Sequence, residues 1–355
     1  MQADKFDKRQ MLKHVGDFSQ LFGIKEYTLT DGKAKGMRAF DVRNGSGLEF
    51  TVLADRGLDI AGLSFKGINC SYISKTGLVA PEYYEKDGVE LLRSFFGGFL
   101  TTCGLRNVGG PCEDEGEHFG LHGRISHTPA EEVRAGIDWE DGLPVMSIGG
   151  MMREARLFGE NIVLRRKIRC HYGDNRIQLQ NTIENLGFRR EPLMLLFHFN
   201  LGYPLLDEDA ELITSTAELV PRTAEAKSGI DDYARLQPPT AGYSEQVFYH
   251  SLNSDAKGNT IVALINKKIE LGVALRFNKN QLFNFTQWKQ MGEGEYVLGL
   301  EPCNCYVEGR LDAKNREKLE YLEPGEERQF DIGIEIIEGL KEIETLVREV
   351  SRLAS

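Results

Sequence analysis

The sequence predicts an all-β protein, a large antiparallel β-sandwich with few short helices. Three observations carry this: a dominant periodicity of two, strand-like runs that follow one another without helical periods between them, and Gly, Asp, Asn and Pro clusters separating the runs. Phe330, Ile332, Ile334 and Ile336 alternate with Gln329, Asp331, Gly333 and Glu335, as in a strand with one buried face. Leu271, Val273, Leu275 and Phe277 alternate with Gly272, Ala274 and Arg276. Ile162, Leu164, Ile168 and Cys170 repeat the pattern with Arg166 on the same parity, and Ile177, Leu179 and Ile183 share a face broken by Asn181. Breakers such as Gly173-Asp174-Asn175 and Glu184-Asn185-Leu186-Gly187 end the runs. Strand after strand in this way argues against a βαβ fold.

Two stretches carry helical spacing. One runs from about Lys8 to Leu21. The other is the tail from Leu340 to Leu353, where Leu340, Ile343, Leu346, Val347 and Val350 form an apolar stripe expected to pack on its own sandwich. Residues 223–245, through Pro238-Pro239, are the longest patternless stretch and read as a loop over the sandwich. With no internal repeat and no low-complexity linker, residues 1–355 read as one domain, with an N-terminal extension over about 1–35 and a C-terminal helix over about 340–353.

A formal charge of −11 disfavours a nucleic-acid partner, which calls for a basic patch. The short basic clusters, Arg165, Arg166, Lys167 and Arg169 in one strand and Lys267 with Lys268 in another, read as solvated faces. No apolar run approaches the ~20 residues that cross a bilayer, so no membrane partner is expected. Met1 to Phe22 lacks the apolar segment of a signal peptide, which points to the cytoplasm. The six cysteines read as reduced thiols, and Cys303-Asn304-Cys305 is a single knuckle where a zinc ribbon needs two. A small neutral or mildly anionic ligand suits this balance, bound by a monomer or a homodimer.

Three places set ionisable groups among apolar residues or glycines. The first is Glu117-His118-Phe119-Gly120-Leu121-His122-Gly123-Arg124, whose glycines argue for a loop, where function is often placed; a surface hydrogen bond is the plainer reading of either histidine. The second is Leu196-Phe197-His198-Phe199-Asn200. There Phe197 and Phe199 take one face and His198 the other with Leu196 and Asn200, so His198 is either a satisfied core histidine or the floor of a cleft. The third is Leu298-Gly299-Leu300-Glu301-Pro302, whose carboxylate is a buried salt-bridge partner or a base with a raised pKa. Asp55-Arg56-Gly57 reads as a turn in which Arg56 braces the backbone or reaches a ligand. Phe96-Gly97-Gly98-Phe99 lacks the spacing of a phosphate loop.

In order and context these places resemble the aldose 1-epimerase (galactose mutarotase-like) family: Leu121-His122-Gly123 first, then His198 before Asn200-Leu201-Gly202, then Leu300-Glu301-Pro302. Gly97-Gly98 and Cys103-Gly104-Leu105-Arg106-Asn107 echo the family's Gly-Arg-Asn motif, and the likeness spans roughly residues 45–337. The resemblance implies a mutarotase-like supersandwich and an isomerase that needs no metal or cofactor. In it Glu301 is the general base, His198 the general acid, and His122, His118, Arg106 and Arg56 hold sugar hydroxyls, with Gln287-Trp288 where a ring-stacking residue falls. Trp288 or Phe285 would supply the stacking platform. The aspartate that grips hydroxyls in better-known mutarotases has no match here, so the substrate, and even the reaction, can differ from galactose mutarotation. Two other readings remain: a metal-dependent sugar isomerase or lyase with His118, His122, His198 and Glu301 as ligands, and a non-catalytic carbohydrate-binding module.

Overall fold

The computed structural model describes residues 6–354. Three large antiparallel sheets build most of it, beside two two-stranded pairings. A five-stranded meander runs from Gly23–Thr28 to Ile68–Asn69. An eight-stranded sheet includes the strands Leu143–Ala155, Asn161–His171, Arg176–Asn185, Glu327–Glu338, Leu271–Asn278 and Asn259–Asn266. A seven-stranded sheet holds Gln246–Leu252, Asn284–Gly292, Glu295–Cys303 and Glu191–Leu201, and the strand Leu100–Leu105 pairs with the last of these.

The alternations read from sequence fall on strands whose apolar parity faces a single core. That core draws on Val42 and Phe50 of the meander, Leu164, Leu179 and Phe330 of the eight-stranded sheet, and Phe197, Phe199 and Leu300 of the seven-stranded one. Strands Asn259–Asn266 and Leu271–Asn278 are buried on both faces because the helix Leu340–Arg352 lies on the outer one. Its Ile343, Leu346 and Val350 pack on Ile261, Ala263, Ile265 and Ala274.

Three sequence expectations need correction. The N-terminal helix is only Lys8–Met11, followed by a 3₁₀ turn at Phe18–Gln20, because Asp17 caps the second turn by accepting from the Ser19 N–H and so restarts the chain. Within the expected extension, Gly23–Thr28 pairs with Arg38–Arg43, and residues 1–5 lie outside the described residues. Lys267 and Lys268 sit in the turn after Asn266 rather than in a strand. Arg166 is not on a solvated face.

Arg166 instead points between the sheets, where it is as buried as its neighbours Leu164 and Ile168. It donates to Asp59 Oδ1 at 2.7 Å, to Asn181 Oδ1 at 2.8 Å, to the Gly57 carbonyl and to Thr102 Oγ1. Asp59 in turn accepts from the N–H and hydroxyl of Thr102 at 2.8 and 2.6 Å. Asn181, which broke the apolar parity of its strand, is there to meet Arg166. The network ties the meander, the strand Leu100–Leu105 and the eight-stranded sheet together with no polar atom of the ion pair left in water.

A buried pair deprived of one partner leaves a charge with no compensation. Asp59→Ala is therefore expected to cost about 3–5 kcal/mol of unfolding free energy in urea titration. Replacing both groups by apolar ones (Asp59→Leu with Arg166→Met) should cost less than the single change. A single variant as stable as the wild type would show that the pair does not fasten the sheets.

Candidate active site

His198 belongs to Glu191–Leu201, a strand buried along its whole length between Leu100–Leu105 and Glu295–Cys303. The register pairs Leu196 with Cys303 and Phe199 with Leu300, which sets His198 opposite Glu301. Directly opposed side chains on one face of an antiparallel pair have Cβ atoms about 4.5–5.5 Å apart. The result is a contact of 3.2 Å from His198 Nε2 to Glu301 Oε1, with the two residues only 5% and 2% exposed.

Gly299, two residues before Glu301, shares its face and lies opposite Asn200 and Trp288. A Cβ there would stand 2.7 Å from Glu301 Oε1, 2.9 Å from Trp288 Cβ and 3.3 Å from His198 Cε1. The glycine makes the room in which imidazole and carboxyl group meet. Trp288 forms one wall, edge-on to His198 at 5.3 Å between ring centroids, and Phe95 forms another at the same distance.

His122 arrives from the loop Gly120–Arg124. The loop is stitched to the Leu100–Leu105 strand and its following turn: the Gly104 N–H donates to the His122 carbonyl, and the His122 N–H to that of Gly109. Gly123, at φ +71°, passes so near Gly104 and Asn107 that a Cβ would stand 2.3 Å from the Gly104 carbonyl oxygen. His122 itself is held at φ +57°, a left-handed conformation uncommon outside glycine. The Gly109 N–H points at His122 Nδ1 from 3.3 Å, which leaves Nε2 as the protonated nitrogen. The ring centroid lies 5.9 Å from that of His198.

These groups open into a cavity of about 370 Å³, within the size range of small-molecule sites. Apolar side chains from Val89, Leu91, Leu92, Val247 and Val307 complete the lining. Two charged residues in the cavity had escaped the sequence reading. Arg222 forks onto Glu308 at 3.0 and 3.2 Å, and Glu308 is held by the Tyr249 hydroxyl at 2.6 Å. Glu245 accepts from the Trp288 indole N–H at 2.7 Å. Arg222 follows a strand end with no motif around it, and Glu245 closes the patternless 223–245 loop, so neither carried a signal. Phe95 sat beside the glycine pair without one either.

Burial sets the electrostatics. It lowers the pKa of His198 to about 3, with His122 adding to the effect, and that of His122 to about 4, with Arg222 adding. It raises Glu301 well above the ordinary carboxyl value, helped by the nearby charge of Glu245 and opposed by Arg222. Burial thus favours the uncharged form of both groups, a neutral imidazole against a protonated carboxyl.

The other sequence candidates stand elsewhere. Arg56 is fully buried and donates to the carbonyls of Ser126, Val79 and Ser94, so it braces the turn. Arg106 forks onto Glu117 at 2.8 and 3.1 Å, with Glu160 at 3.2 Å and Glu191 at 3.5 Å, and does not line the cavity. Gln287 is on the opposite face of its strand from Trp288, as period two requires, and bonds His250 and the Tyr233 carbonyl. Phe285 shares that inward parity and packs on Phe277 and His250. The His118 imidazole is mostly exposed beside Glu113 at 3.6 Å. The four ligands of the metal reading are therefore not assembled, and among the described residues no group of three or more His, Cys, Asp or Glu side chains is placed to hold a metal.

The three large antiparallel sheets build a galactose mutarotase-like β-sandwich. The chain belongs to the family described as a domain of unknown function, DUF4432, whose pattern matches residues 34–336. A protein of Klebsiella pneumoniae provisionally named aldose 1-epimerase has a similar structure, with TM-score 0.90 and 23% identity over 95% of this chain and 91% of that one. A galactose mutarotase-like protein from Clostridium acetobutylicum aligns at TM-score 0.62 and 13% identity over 90% and 99%. The galactose 1-epimerase of Lactobacillus acidophilus aligns at 0.58 and 15% over the same shares. These likenesses establish the fold. No curated protein matches by sequence.

The packing around Gly299 has a direct test. Gly299→Ala forces a methyl group against Glu301, Trp288 and His198, and overpacking of this kind costs about 1–3 kcal/mol. The urea midpoint should fall accordingly while the β-sheet circular dichroism is kept. An unchanged midpoint would mean that the three side chains are not held where the structure places them.

Proposed function

We propose that the protein is a metal-independent isomerase of the aldose 1-epimerase type, interconverting the anomers of a free sugar by general acid–base catalysis. The observation that carries this is the 3.2 Å contact between His198 and Glu301 at the floor of a sugar-sized cavity. The two oxygens that exchange protons, the anomeric hydroxyl and the ring oxygen, are bonded to one carbon, so the groups serving them must be neighbours.

Glu301 takes the proton of the anomeric hydroxyl as the bond from C1 to the ring oxygen breaks, and His198 protonates that oxygen. The open-chain aldehyde turns about its C1–C2 bond. The reverse transfers then close the ring on the other face and restore both groups. For this the resting proton crosses from Glu301 to His198 as the sugar docks, a shift favoured by the charge of Arg222 near the carboxylate. Trp288 and Phe95 offer aromatic surface to the C–H face of the ring, while His122 Nε2, Arg222 and Glu245 are the polar groups available to hydroxyls. Glu245 is a carboxylate in the cavity where no gripping aspartate was legible. The names of structurally similar proteins agree with this reading.

Magnetisation-exchange NMR across aldoses, ketoses and uronates tests it. At least one sugar should exchange anomers faster than in buffer, and Glu301→Gln should remove about 10²–10⁴-fold of that rate while binding is kept. If every sugar stays at the buffer rate, the proposal fails; a sugar that binds without exchanging would mark a binding module instead. The pH profile follows from the pair. It gains a second proton only near the His198 value of about 3, and loses its single proton only above the raised Glu301 value. Activity should therefore persist well below the ordinary histidine pKa of about 6.5. An acid limb at that value would contradict the assignment.

A further inference from the structure

Outside the cavity's lining, three large apolar side chains project into solvent from two adjoining turns. Leu157 and Phe158 lie in the turn between Leu143–Ala155 and Asn161–His171, 82% and 93% exposed. Phe188, 98% exposed, lies in the turn between Arg176–Asn185 and Glu191–Leu201. The turns are fastened together: the Leu186 N–H donates to the Asn161 carbonyl at 2.9 Å, and Arg189 donates to the Phe158 carbonyl at 3.0 Å. Isolated exposed apolar residues are ordinary, but three side chains almost wholly in water on one braced edge are a patch that asks for a cover.

We propose that this edge is the contact between two copies of the chain in a homodimer. Two arguments choose a second copy over a lipid surface. The first is charge. An anionic bilayer would need a cluster of free cations around the apolar tips, and here Arg156 is paired with Glu117 and Glu160 and Arg190 with Glu323, while Arg189 donates to the Phe158 carbonyl and keeps its charge. Apolar side chains ringed by polar ones that are mostly paired are the anatomy of a protein interface. The second is area. Phenylalanine side chains bury about 150–250 Å² each, so the two from each copy, with the smaller Leu157 beside them, remove roughly 1,000 Å² from water. With the arginine stems around them, this reaches the lower bound of about 1,200 Å² for stable specific interfaces. Because the same patch serves both copies, the contact is self-complementary and closes at two.

Sedimentation velocity on the full chain over a wide concentration range tests the proposal. The wild type should run at twice the mass of one chain, and the double variant Phe158→Asp/Phe188→Asp as a single chain, with dimer dissociation at least about tenfold easier. Both positions lie in solvent, and unchanged circular dichroism checks that the variant is folded; Phe188→Ser alone gives a milder second case with the same expected direction. A wild type that is single at every concentration overturns the proposal, as does a dimer that survives the double variant. So does binding to phosphatidylcholine–phosphatidylserine vesicles that the variant abolishes, which would assign the patch to a membrane surface.

Discussion

The pairing of Leu196 with Cys303 and of Phe199 with Leu300 sets His198 opposite Glu301. Side chains alternate faces along a strand, so a slip of one residue in this register would turn either His198 or Glu301 into the core. The register is secured from both sides. Phe197, Phe199, Leu298 and Leu300 fill the interior on the other face, and the Leu100–Leu105 strand locks the far edge of the histidine strand. Two groups that water would keep apart are thereby held together where burial favours their uncharged forms. The energetic cost of drying them is carried by the apolar packing around them.

The Asp59–Arg166 network does for the sheets what this register does for the pair. Thr102, which bonds both Asp59 and Arg166, is the neighbour of Thr101, and Thr101 pairs with His198 across the strands. The position of His198 therefore traces back, through a single residue of backbone, to a buried ion pair joining the meander to the large sheet. The loop of His122 hangs from the same strand through Gly104. Cavity floor and cavity rim share one anchor.

Much of this was legible in the sequence, because period two is a local property. The strands at 162–170, 177–183, 271–277 and 330–336 declared their buried faces directly, and so did the split of His198 from Phe197 and Phe199. What alternation cannot convey is which strand neighbours which, and that decides the rest. Arg166 looked like one member of a basic run because nothing local reveals that Asp59 and Asn181 lie across from it. Arg106 matched a motif, yet three glutamates distant in sequence claim it. Gln287 and Trp288 were read as a unit although adjacent strand residues face opposite ways, and the same rule, applied to them, would have chosen Trp288 alone. Arg222 and Glu245 reach the cavity from segments with no periodicity at all, where only tertiary contact gives a residue its place.

The central claim is that His198 and Glu301 hold one proton between them out of water. Nitrogen-15 NMR of the His198 imidazole across a pH titration measures this directly. A ring that stays neutral down to about pH 3 is the expected result. A ring that takes up its proton near the ordinary histidine value of about 6.5 would contradict the account.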